Sequence, residues 1–172
     1  MADSGLSEMV VESVRVHQLS SQHVVLLREV GGERLLPIWI GPWEANAIAM
    51  RLQDVTPERP LTHDLFASTL ERLGVRIDRI VVVDLADDTF RARLDLRVNG
   101  RRIEVDARPS DAIALAIRSG AAIFAAAAVL ERAGVIPETD DDEKLAVFRD
   151  FVNSLDVDLG GGPQTRGGSG RD

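Results

Sequence analysis

A chain of 172 residues with 45% apolar content and mean hydropathy near zero has room for one domain with an ordinary core. It holds no cysteine, which excludes disulfides, thiolate nucleophiles and cysteine-ligated metals, and no apolar run near the roughly 20 residues that cross a bilayer. The net charge of −8 is uneven: residues 1–136 carry 16 basic against 19 acidic groups, and residues 137–172 carry 4 against 9. The first part is therefore near neutral, able to bear a local basic patch and unlike a bulk nucleic-acid binder.

The opening "MADSGLSEMV" lacks the basic start and apolar stretch of a signal peptide, so a cytoplasmic protein with no membrane partner is expected. Dense, often β-branched apolar residues predict a strand over 9–17 and a hairpin over 23–40. With Gly31 and Gly32 as its turn, Glu29 faces Arg34, a favourable cross-strand pair. A helix follows over 42–53, then another over 62–73 with Thr62 as its cap and Gly74 as its stop. Strands are expected over 75–84, 89–98 and 101–107, the last two joined at Asn99-Gly100, and a helix opens at Pro109. A short apolar stretch "AAIF" leads to a helix over 125–133 and an amphipathic helix over 140–153, entered through Thr139 and Asp142. The composition of 160–172, "GGGPQTRGGSGRD", predicts disorder. These elements give an α+β domain over 1–136, an acidic C-terminal helix over 137–159 and a tail. The fold expected is a mixed sheet from two hairpins, each followed by a packed helix as a candidate internal duplication, plus C-terminal helices.

Two helix openings are nearly the same: "GPWEANAIAMR" at 41–51 and "RPSDAIALAIR" at 108–118. Pro42 matches Pro109, Glu44 matches Asp111, the alanines align and Arg51 matches Arg118, but Gly41 stands against Arg108. Glu44 and Asp111 both sit where a carboxylate stabilises the helix dipole. Arg108 falls at the N-cap, where a cation faces the positive dipole end unless an anion joins it. Free N–H groups plus a guanidinium form a phosphate cradle, with Asp106 two residues back; pairing with Asp106 or Asp111 is the plain structural alternative.

Strand 89–98 alternates Phe90, Ala92, Leu94, Leu96 and Val98 with Arg91, Arg93, Asp95 and Arg97. The Asn99-Gly100 turn sets Leu96 opposite Ile103, Leu94 opposite Val105, Arg93 opposite Asp106 and Arg91 opposite Arg108. It also creates the like-charge pairs Arg97 with Arg102 and Asp95 with Glu104, to be relieved by diagonal neighbours on a solvated face. In "RPLTHDL", His63 and Asp64 offer an imidazole and a carboxylate for metal ligation or proton transfer.

The blocks "PIWIGPWEANAIAMRL", "RPLTHDLF" and "DARPSDAIALAIRSGAAIF" together resemble the signature blocks of the bifunctional nuclease domain family, in the same order and spacing across 9–134. Ala122 stands where that family commonly has proline. The resemblance implies DNase and RNase activity on nucleic acid, a homodimer, and the link to stress and defence responses described for plant members. An enzyme that cuts both polymers cannot depend on a 2′-hydroxyl, so activated water is expected as nucleophile. From the residues, His63, Asp64, Asp106, Arg108 and Asp111 are the catalytic candidates. Arg91, Arg93, Arg108 and Ser110 are candidates for binding substrate. Glu44, Asp64, Asp106 and Asp111 are hard ligands suited to Mg²⁺ or Mn²⁺. Two alternatives stand beside hydrolysis: a non-catalytic phosphate- or nucleotide-binding module and a dimerising structural domain. Few aromatics, 4% with no tyrosine, offer little base stacking.

Overall fold

The computed structural model describes residues 5–17 and 19–137, and the backbone of 155–158. Three strands, β1 (Leu6–His17), β2 (His23–Glu29) and β3 (Leu35–Ile40), lead into α1 (Pro42–Leu52) and α2 (Thr62–Arg72). Three more, β4 (Arg76–Ala86), β5 (Thr89–Val98) and β6 (Arg101–Ala107), lead into α3 (Pro109–Ser119). Then come β7 (Ala122–Ala126), α4 (Ala127–Ala133) and β8 (Leu155–Asp158).

Turn chemistry fixes both hairpins. Gly31 adopts a left-handed φ of 74°, and Arg34 meets Glu29 through two side-chain hydrogen bonds of 2.6 and 2.7 Å beside a backbone bond. Asn99 and Gly100 both have positive φ, 48° and 80°, as the tight turn demands, and the register sets Leu96 opposite Ile103 and Arg93 opposite Asp106 as expected. The β5–β6 pairing ends at Ala92 with Ala107, so the expected pairing of Arg91 with Arg108 does not form: the chain turns into α3 first.

One mixed sheet runs in the order β3-β2-β1-β7-β4-β5-β6, with β8 paired to β1 beside this path. Only β4 and β7 pair in parallel. The sheet is thus two three-stranded meanders, each followed by a helix, sewn together by β7 between β1 and β4. After that helix the units diverge, into α2 in one and β7 with α4 in the other.

One face of the sheet presents Val25, Leu27, Ile38, Ile80, Val82 and Leu94 to a single core, closed by Ala45 and Ile48 of α1 and Ala112 and Ile113 of α3. α2 has no buried residue and lies against α3. Of the expected C-terminal helices, α4 forms. The helix of 140–153 and the tail of 160–172 lie outside the described residues, whereas 155–158, within the segment read as an acidic helix, are a strand. Among the described residues no helix is long and apolar enough to cross a membrane.

Candidate functional site

The two matched helices are partners. Arg118 of α3 donates to the Ala47 carbonyl of α1 at 3.0 Å, and Arg51 of α1 donates to the Ile117 carbonyl of α3 at 3.4 Å. At the other end, Arg108 before α3 reaches Glu44 in the first turn of α1 at 2.8 Å. N-terminus meets N-terminus and C-terminus meets C-terminus, so the helices run side by side in the same direction. Buried alanines at 45, 47, 49, 112, 114 and 116 leave no bulk to hold the two backbones apart. Both positive dipole ends therefore arrive at one place, a repulsive arrangement that Glu44 and Asp111 offset.

This pairing explains why Gly41 and Arg108 differ. The Glu44 carboxylate folds back over Gly41, where an added Cβ would collide with it. A side chain at 41 would displace Glu44 from Arg108 without otherwise disturbing the helix.

Four side chains converge at the paired N-termini. Arg108 donates from Nε to Asp111 Oδ2 at 2.7 Å, from Nη2 to Asp111 Oδ1 at 3.1 Å, and from Nη2 to Glu44. His63, carried in on α2, lies with Nε2 2.9 Å from Asp111 Oδ1. Burial pushes the Asp111 carboxyl up, but the hydrogen bonds from Arg108 and His63 outweigh it and hold the group below its ordinary value. Asp111 is thus an ionised acceptor, so the proton at this contact sits on His63 Nε2 and the lone pair of a neutral ring falls to Nδ1. Asp111 first and Glu44 second raise the Arg108 guanidinium further. Arg108 keeps 66% of its side chain in solvent, and its Nη1 makes no hydrogen bond among the described residues.

The other sequence candidates lie elsewhere. Asp64 turns away from His63 and accepts from Arg118 Nε at 2.6 Å and from the Leu61 backbone N–H at 2.9 Å. Burial raises its pKa, but these bonds prevail and lower it. Because Asp64 satisfies the free N–H of Leu61, the N-cap of α2 is Leu61 and Thr62 is already helical, a correction to the expected Thr62 cap. Asp106 shares the opposite sheet face with Arg93 and makes no ion pair among the described residues; Arg108 binds Asp111 and Glu44 instead. Arg91 aligns with Asp84 on β4, and Arg93 contacts Glu104 and Asp95. Ser110 is buried. Among the described residues no three His, Asp or Glu side chains are grouped to hold a metal ion.

The charged sheet face is more than a solvated surface. Asp95 is only 1% exposed, enclosed by Arg79 at 2.6 Å, Arg93 at 3.1 Å and Arg102, while Arg97 pairs with Asp78. The like-charge pairs Arg97/Arg102 and Asp95/Glu104 do form in register, and these diagonal contacts relieve them. A cavity of about 910 Å³ opens separately, between the C-terminal end of α1, α2 and the start of β4, and includes Arg51, Asp64 and Arg118 but none of the four converging residues. Glu44, expected from the sequence as a metal ligand beside Asp111, enters the cluster as an ion-pair partner of Arg108, 64 residues away.

The bifunctional nuclease domain matches residues 25–138, which carry all three helices of the cluster. Two proteins of Mycobacterium tuberculosis, uncharacterized protein MT1877 of strain CDC 1551 / Oshkosh and uncharacterized protein Rv1829 of strain ATCC 25618 / H37Rv, are each 43% identical over 162 residues. Those residues cover 89% of this chain and 97% of each relative. The chain belongs to the bifunctional nuclease domain family.

Proposed function

We propose that the chain is a nuclease that hydrolyses phosphodiester bonds of DNA and RNA at the paired N-termini of α1 and α3. The observation that carries this reading is the convergence of Arg108, Asp111, His63 and Glu44 there. Arg108 offers the outward N–H groups of Nη1 to a non-bridging phosphate oxygen, where negative charge grows as water adds to phosphorus. His63 Nδ1 takes the proton of that water, and Asp111 fixes the ring's tautomer and steadies the imidazolium. The bond from phosphorus to the leaving sugar oxygen then breaks, and that oxygen is protonated from His63 or solvent. The 2′-hydroxyl is not used, which suits both polymers.

A divalent cation, Mg²⁺ or Mn²⁺, belongs to the proposal as a further stabiliser of phosphate charge. Glu44 and Asp111 are the carboxylates at hand, and both already pair with Arg108, so no step is routed through a metal. That mutual neutralisation favours a second reading, a phosphate- or nucleotide-binding module without hydrolysis. The test is incubation of the purified chain with single-stranded DNA and RNA in Mg²⁺, Mn²⁺ or EDTA. Cleavage of both polymers is expected. Binding without cleavage under every condition would replace hydrolysis by the binding module.

A further inference from the structure

Trp43 is 81% exposed and makes no hydrogen bond or ring contact among the described residues. An indole is the largest apolar side chain, and leaving it in water forgoes more burial than at any other residue. The chain has only two tryptophans, so the position of this one is informative. The matched residue in the other helix opening is Ser110, which is buried, so this kind of helix start does not itself call for an indole.

The chemistry next to Trp43 identifies what would cover it. Trp43 precedes Glu44, whose carboxylate lies 2.8 Å from Arg108, so the exposed indole belongs to the first turn of α1, the turn that Arg108 reaches. In a nucleotide, phosphate and base are separated by one sugar. A phosphate on Arg108 therefore brings a base within reach of the second position of α1.

We infer that Trp43 is a base-stacking platform and that the strand bound at this site is single-stranded, an inference that rests on the phosphodiester reading above. A base inside a duplex is already stacked on both faces, whereas an unpaired base has a free face for the indole. Stacking also ignores base identity and the 2′-hydroxyl, which is the tolerance that a site accepting both DNA and RNA requires. One helix opening thus contributes the cation and the other the aromatic surface.

The test uses the full chain with Trp39→Phe, so that Trp43 is the only tryptophan, and follows cleavage of each probe in the same samples. The probes are a single-stranded oligodeoxynucleotide, its RNA equivalent, the blunt duplex and an abasic strand with the same number of phosphates. Single strands should quench Trp43 emission, the abasic strand should bind without quenching, and the duplex should bind more weakly. Trp43→Ala should weaken single-strand binding about tenfold or more with an unchanged melting temperature, and Trp43→Phe should restore part of it. Equal affinity for Trp43→Ala and its parent, or equal quenching by the abasic strand, would overturn the inference. So would a loss of self-association in Trp43→Ala with oligonucleotide affinity intact, which would assign the indole to a protein interface. Quenching without cleavage would keep the stacking and end the hydrolytic reading. Cleavage indifferent to Trp43→Ala would do the reverse.

Discussion

Arg108 shows how far one side chain's surroundings can reverse a local rule. A cation at a helix N-cap opposes the dipole, which by itself predicts that Arg108→Ala leaves stability unchanged or raises it. The ion pairs to Asp111 and Glu44 change the sign, and because the side chain is largely solvated the loss should be small, about 1 kcal/mol or less. Activity should fall far more, about 100-fold or beyond, if Arg108 stabilises the transition state. Denaturant melts and rates on the same preparations separate the two effects. The acid limb offers a second check at this scale. Asp111 and Asp64 both have pKa values lowered from 3.8, so each contributes stability that is complete above 3.8 and is lost as pH falls through the lower folded value. Asp111→Asn and Asp64→Asn should therefore be less stable than the parent at neutral pH, with the gap narrowing below 3.8. A urea midpoint difference that stays constant down to that range would show that the carboxylate charges do not matter.

At the scale of elements, the α1–α3 pair depends on Arg118 more than on Arg51. Arg118 is 7% exposed and joins Asp64 and the carbonyls of Ala114 and Ala47, whereas Arg51 makes one long bond at the surface. Arg118→Ala should cost about 3 kcal/mol, since it leaves Asp64 without its cation and removes the side-chain bond from α3 to Ala47 of α1, while Arg51→Ala should be near neutral. Equal melting temperatures for the two variants would contradict this. Strands and hairpins were legible in the sequence because alternation and turn residues are local signals: Gly31-Gly32 and Asn99-Gly100 set the registers. β7 was legible only as an apolar stretch, because its pairing with β1 and β4 is non-local. The site was readable at Arg108, where a cap rule is broken, and Glu44 and Asp111 were readable as carboxylates, but the pairing of Glu44 with Arg108 joins residues 64 apart and has no local signal. Asp106 was misplaced beside Arg108 because strand parity stops at Ala107, where the chain turns into α3.

Across the whole molecule, all 16 basic residues of 1–136 are arginines, the side chain suited to forked pairing with carboxylates and phosphates. Much of that charge is internal, as around Asp95, which is why net charge said little about function. The homodimer implied by the family would have the outer strand β6 available, where Ile103 and Val105 are exposed; sedimentation at several concentrations tests it. Removal of 160–172, too polar and glycine-rich to bury much surface, should leave the melting temperature unchanged, whereas removal from 155 onward also deletes β8 and should lower it. The proposed function is phosphodiester hydrolysis by the cluster at the paired N-termini. Its most direct test is single-turnover cleavage of a single-stranded oligonucleotide by the parent, His63→Ala, Arg108→Ala and Arg97→Ala, the last removing a cation from the far face. Cleavage is expected from the parent and Arg97→Ala and almost none from His63→Ala or Arg108→Ala. Full cleavage by either of these two, with all four proteins folded, would contradict it.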